Sequence, residues 1–224
     1  MRASLKTSFT AILWPLCAVL LSVLATGSIA SAAEPPIRIL AMGDSLMQGF
    51  GLPTGSEFPA QLERALKARG LNVVVVNAGV SGDTSAGGNA RIDWSLTENP
   101  DAAIVEFGGN DALRGLPPAE TEKNIDGMLS QLKAKKVPAL LAGMMAPRNM
   151  GADYVREFDA IFPRQARKHG VLFYPFFFDG VVLDRSLMQN DGTHANEKGV
   201  VEIVRRMMPD VVKLVEQARA ARAK

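Results

Sequence analysis

RILAMGDSLMQGFG, residues 38–51, is the stretch whose reading decides the fold. Ile39, Leu40, Ala41 and Met42 form an unbroken apolar run, as a strand buried on both faces requires. The run stops abruptly at Gly43, Asp44, Ser45 and Leu46. A core strand that ends on a glycine, a carboxylate and a hydroxyl places polar groups at its carboxyl end. In open parallel α/β sheets that end is where ligands bind.

Four further apolar runs follow the first at regular intervals: 71–77, 102–107, 137–144 and 171–176, after Ile37–Met42. Amphipathic stretches separate them: 57–69, 84–96, 119–136, 152–168 and from Asn196 onward. In "PAQLERALKARG", Leu62, Ala65 and Leu66 recur at helical spacing, Lys67 and Arg69 fill the last turn, and Gly70 ends it. Strand and helix alternate, so the chain predicts a three-layer α/β fold with a five-stranded parallel sheet covered on both faces. The Ala/Arg-rich tail "EQARAARAK" is expected to fray.

The first 33 residues are of another kind. Arg2 and Lys6 are followed by an uncharged run from Thr7 to Ala33 with a strongly apolar centre, closing on "GSIASAAE". This is the pattern of an export signal peptide, with cleavage after Ala32 or Ala33. An uncleaved anchor is the alternative, since the run is long enough to span a bilayer. The expectation is therefore a signal at 1–33, one domain at 34–224, export to the periplasm or beyond, and no stable membrane span after cleavage.

The chain carries 25 basic and 23 acidic residues, and Arg2 and Lys6 leave with the signal, so the remainder is near neutral. No basic excess points to nucleic acid. The single cysteine, Cys17, lies in the signal, which excludes a disulfide, a thiolate nucleophile and a cysteine metal site from the remainder.

Chemistry gathers behind the apolar runs: Gly43 to Leu46, "NAGVSGDTSAGG" (77–88), "GGNDALRG" (108–115), "MMAPRNMG" (144–151), "PFFFDGVV" (175–182) and "NDGTHANEKG" (190–199). Ser45 is a nucleophile only if a base takes its proton; otherwise it or Asp44 caps the next helix. Only two histidines exist. His169, in "RKHG", suits a helix C-terminus. His194 lies three residues after Asp191, so one turn can put the carboxylate on one ring nitrogen and leave the other free. An Asp-Gly turn with a cap at Thr193 or Asn196 is the plainer reading of the same residues. Gly82 allows close backbone approach and Asn110 offers a neutral donor, two features that suit an oxyanion; as plain turn residues they would look the same. G-x-S-x-G, the Walker loop and H-E-x-x-H are all absent.

Together, Gly43-Asp44-Ser45-Leu46, Gly82 in "SGDTS", Gly109-Asn110-Asp111 and Asp191-Gly192-Thr193-His194 resemble the four blocks of the SGNH, or GDSL, hydrolase superfamily, in the same order over about residues 37–210. Within it, "VEFGGNDALRG", "PFFFDGV" and "MQNDGTHAN" are most similar to the bacterial secreted thioesterase I, lysophospholipase L1 and arylesterase group. The resemblance implies a flavodoxin-like sheet of order 2-1-3-4-5, no metal and no cofactor. It implies Ser45 as nucleophile, His194 as base and Asp191 as its orienting acid. The oxyanion hole would be the Ser45 and Gly82 N–H groups with the Asn110 side chain. Its substrates would be small acyl esters or thioesters. Leu113, Leu116, Met144, Met145, Pro147 and Met150 are candidates for the acyl pocket. An envelope carbohydrate O-acetylesterase and a non-catalytic acyl-binding module are the competing readings.

Overall fold

Strand β1 (Ile37–Gly43) has every residue but one buried, which explains why its sequence lacks polar alternation. It pairs in parallel with β2 (Val73–Gly79) on one side and β3 (Ala102–Glu106) on the other. β4 (Ala139–Ala142) and β5 (Leu172–Tyr174) complete a five-stranded parallel sheet of order β2-β1-β3-β4-β5. The flavodoxin-like order expected from the sequence is the order found. This computed structural model describes residues 34–223 together with Met1 and Ala3; the signal expected at 1–33 therefore falls outside the described residues, apart from those two.

Helices cover both faces. α2 (Phe58–Lys67) packs against the long α8 (Glu197–Arg222) on one side. α3 (Ser85–Ser95), α5 (Pro118–Ala134) and α7 (Ile161–His169) lie side by side on the other. Ile39, Leu40, Met42, Ile104 and Leu140 are fully buried between these layers. Burial of such side chains stabilises the fold by about 1.5–3 kcal/mol each. Among the described residues, no helix is long and apolar enough to cross a membrane.

Some boundaries differ from the sequence expectation. The helix expected over 152–168 is two, α6 (Ala152–Asp159) and α7, joined at Ala160. Pro163 explains the break: it has no N–H to give to Asp159, so one continuous ladder cannot form there. β4 is shorter than its apolar run. Val137 N–H still closes the end of α5 on Leu132 O, and Lys136 has a left-handed backbone, so extended structure starts only after Pro138. The tail does not fray as expected: α8 runs to Arg222, whose guanidinium binds Asp101 and the carbonyls of Pro35 and Pro36. His169 closes the last turn of α7, as expected, and its Nε2 also lies 2.6 Å from Asp126 Oδ1 of α5.

At the end of β1, Gly43 pairs with Gly79 of β2. A Cβ on Gly79 would run into the Gln48 backbone nitrogen, and one on Gly43 would lie 2.6 Å from Glu106 Oε2. Two bare backbones at this point let the short helix α1 (Ser45–Gln48) fold straight over the sheet edge. The nucleophile candidate thus sits on a turn held where β1 meets the edge strand β2.

Candidate active site

Asp44, not Ser45, caps α1: its Oδ1 accepts from Leu46 N–H at 2.9 Å. The Ser45 hydroxyl is thereby left free of the capping role, and it meets His194 Nε2 at 2.8 Å. On the other side of the ring, His194 Nδ1 lies 2.7 Å from Asp191 Oδ2. The two readings of Asp191 prove to be one structure. Its Oδ1 accepts from the N–H groups of Thr193 and His194, at 2.9 and 3.0 Å, while Oδ2 is kept for the ring. Desolvation works against the Asp191 charge, but the backbone donors of His194 and Thr193 and the His194 ring outweigh it and bring the carboxyl down to about 2. Asn196 then caps α8 through Lys198 and Gly199 N–H, which fixes the chain just after the histidine.

Ser45, Gly82 and Asn110, the three residues expected to supply the oxyanion hole, all line one cleft. The Ser45 N–H lies at the start of α1, and Gly82 has φ +79°, a left-handed conformation that glycine adopts without strain. Neither N–H has a backbone partner among the described residues. Asn110, in α4 (Gly109–Leu113), directs Nδ2 to Asp44 Oδ2 and to the carbonyl of Asp83, each at 2.9 Å. Its amide is therefore held firmly between the first and second motif blocks. Behind it, Asp111 is buried and accepts from Ser85 N–H, Ser85 Oγ and Thr121 Oγ1.

Two carboxyl groups lie deep under this turn. Burial pushes Asp44 up to about 6, against the hydrogen bonds from Leu46 and Asn110 that favour its charge. Glu106, at the end of β3, is fully buried and neither side-chain oxygen has a hydrogen-bond partner. Burial first, and the Asp44 charge second, push it well above the usual carboxylate range, against the opposing pull of the Asp44 backbone N–H.

Ser45, His194, Gly82 and Asn110 open onto a cleft of about 710 Å³. Leu113, Met144, Met145 and Pro147 line it, as expected from the sequence; Leu116 and Met150 are not among its lining residues. Leu116 instead gives its carbonyl to Tyr154 Oη, and the Met150 side chain lies by Gly115. Sequence reasoning missed the opposite wall, formed by Phe176, Phe178, Val182, Leu183 and Met188. The signal was the aromatic run directly after the fifth strand, at the sheet end where the other site residues gather. Phe50 was missed too; its ring lies against His194.

A serine hydroxyl on an imidazole, a carboxylate behind the ring, backbone donors beside the serine and an apolar cleft suit acyl transfer. Residues 41–200 match the model of the GDSL-like Lipase/Acylhydrolase family. The chain belongs to that family. This GDSL-family protein is 38% identical over 168 residues to the Thioesterase 1/protease 1/lysophospholipase L1 of Escherichia coli (strain K12), covering 75% of this chain and 78% of that one. It is 32% identical over 195 residues to the Arylesterase of Vibrio mimicus, covering 87% and 98%. The crystal structure of AlinE4, an SGNH-hydrolase family esterase, superposes with a TM-score of 0.69 at 47% identity, covering 82% of this chain and 98% of that one.

Proposed function

We propose that this GDSL-family enzyme hydrolyses carboxylic esters and thioesters through an acyl-enzyme on Ser45, after export and removal of residues 1–33. The observation that carries this reading is the unbroken contact from Ser45 Oγ through the His194 ring to Asp191, opening on an apolar cleft. His194 Nε2 takes the Ser45 proton as Oγ attacks the acyl carbon. The negative charge that forms on the carbonyl oxygen is met by the N–H groups of Ser45 and Gly82 and by Asn110 Nδ2. Asp191 keeps the ring oriented and balances its positive charge. His194 then gives the proton to the leaving alcohol or thiol, and water repeats the sequence to release the acid. The Ser45 and Gly82 N–H groups act without reorganisation, whereas Asn110 Nδ2 turns one hydrogen away from Asp44 Oδ2 or the Asp83 carbonyl to reach the oxyanion; a donor of this kind is worth ~3 kcal/mol.

The cleft carries the substrate preference. A volume of about 710 Å³ with walls of Met, Phe, Leu and Val suits an acyl chain longer than acetyl. This favours aryl, thioester and lysophospholipid-type acyl donors, the classes named in its relatives, over acetylated carbohydrate.

The test is hydrolysis of p-nitrophenyl butyrate by the wild type and by Ser45→Ala, with circular dichroism to confirm that the variant folds. Turnover lost in a folded Ser45→Ala variant supports the reading; equal turnover in both proteins refutes it. Export is checked by the mass of the protein recovered outside the cytoplasm, expected to begin at Ala33 or Glu34.

A further inference from the structure

Arg91 lies on α3, outside the four motif blocks and outside the cleft wall, yet its guanidinium spans two of those blocks. Nε donates to Asp83 Oδ2 at 2.8 Å, and Nη2 donates to the Gly43 carbonyl at 2.9 Å. The pair is largely withdrawn from water, with side-chain exposures of 19% for Arg91 and 17% for Asp83. The guanidinium also stacks over Phe107, 5.7 Å from the ring centroid. Its three faces are thus engaged by three separate segments.

Each contact leads to one oxyanion donor. Gly43 lies two residues before Ser45, and its carbonyl also accepts from Val80 N–H, which ties the first block to the second. Asp83 directly follows Gly82, and its N–H closes the turn on the Val80 carbonyl. The Asp83 carbonyl accepts from Asn110 Nδ2. A planar fork that fixes the Gly43 carbonyl and the Asp83 side chain therefore sets the distances among all three donors. Lysine cannot replace it, since one ammonium on a flexible stem cannot hold both acceptors in a fixed geometry.

We propose that Arg91 is a positioning residue for the reaction: it clamps Gly43 and Asp83 so that the Ser45 N–H, the Gly82 N–H and the Asn110 amide converge on one oxyanion. The proposal rests on the oxyanion role given to these donors above. It places the effect of Arg91 in the transition state. Substrate binding in the apolar cleft, which Arg91 does not touch, is left unchanged.

The experiment is a kinetic double-mutant cycle on the purified enzyme with p-nitrophenyl butyrate, using Arg91→Met, Asn110→Ala and the pair, beside Arg91→Lys. Arg91→Met is expected to lower kcat by roughly 10- to 100-fold with KM within about threefold, and Arg91→Lys to restore thermal stability but not kcat. In the Asn110→Ala background the same substitution should cost several-fold less, because one of the donors it aligns is already gone. Asp83→Asn is the second variant should Arg91→Met fail to fold; it should lower kcat in the same way, again less in the Asn110→Ala background. A folded Arg91→Met enzyme with wild-type kcat overturns the proposal. Losses that multiply fully with Asn110→Ala, or a rise in KM at unchanged kcat, overturn it as well. If Asn110→Ala alone keeps full activity, it is the oxyanion assignment that falls, and Arg91 with it; Ser45→Ala tests the ester-hydrolase reading separately.

Discussion

The ring of Phe50 rests on the imidazole of His194, with centroids 4.8 Å apart and planes tilted by 37°. Asp191 and Ser45 each hold one ring nitrogen, but these two in-plane contacts leave the ring free to rock about the line that joins them. Phe50 restrains that motion from the side. Its own backbone is tied to the same loop, because its carbonyl accepts from Gln189 Nε2, which also donates to the Ala195 carbonyl. An aromatic contact of this kind is worth ~1 kcal/mol beyond its area, or roughly fivefold in rate if it is fully expressed in the transition state. Phe50→Ala should therefore lower kcat by roughly fivefold, and Phe50→Leu by less. Steady-state kinetics on both variants decides it; an unchanged kcat in Phe50→Ala would show that Asp191 alone orients the base.

Asp191 stays ionised down to about pH 2, because its backbone donors and the His194 ring favour the charged form. Across pH 5–9 its charge is constant. Asp191→Asn should lower kcat by ~10²–10⁴, since the ring loses both its orienting acceptor and the charge that balances the imidazolium. Stability follows the depressed-carboxylate sense: the contribution is present above the ordinary value near 3.8 and disappears as pH falls toward 2. Melting curves of the two proteins should converge below about pH 3. A gap in melting temperature that stays constant down to pH 2 would contradict this.

Asp44 behaves in the opposite sense. Its folded-state value is raised to about 6 by burial, so its protonated form favours the fold. That contribution is complete below the ordinary carboxylate value and is lost as pH rises through about 6. Asp44→Asn, which removes the titration, should gain melting temperature relative to the wild type between pH 5 and pH 8. It should also lose activity, since Asn110 Nδ2 would face an amide where a carboxylate oxygen now accepts. Paired melting curves and rates at the two pH values test both halves; a melting difference independent of pH removes the argument.

Ala146 is a small residue on the cleft wall and is nearly fully buried. Ala146→Phe should fill part of the cleft and shorten the acyl chain accepted. The expected result is a drop in kcat/KM of about tenfold or more on octanoyl esters, with butyryl esters affected far less. Equal losses on both chains would mean that the acyl group lies elsewhere in the cleft.

How far the molecule could be read from its sequence depended on the kind of signal each part carries. β1 was legible because a strand buried on both faces must be continuously apolar, and its end because Gly43, Asp44 and Ser45 interrupt that run. The contact of Ser45 with His194 was legible by elimination, there being only two histidines in the chain. The Phe176–Met188 wall of the cleft was not. Most of that segment follows no helical or strand period, so its side-chain directions are set by tertiary contacts. The break between α6 and α7 was obscured because the apolar spacing continues across it, although Pro163 marks it. Arg91 was invisible as anything but a helix-surface charge, since its partners, Asp83 and the Gly43 carbonyl, come together only in the fold.

On the proposed mechanism, the separation of Ser45 from His194 along the chain also sets when activity should appear. Asp191 and His194 close their contact within a single turn, whereas Ser45 is 149 residues away from His194. The local half forms cheaply; the long-range half must wait for the sheet and for α8, because distant contacts carry the loop-closure entropy of the whole intervening chain. In refolding from denaturant, hydrolysis should return in the slowest phase, after the far-ultraviolet signal of the helices and sheet has recovered. On the proposed mechanism, a chain emerging from its N-terminus carries its serine early and its base late, so it stays inert toward surrounding esters until nearly all of it has arrived.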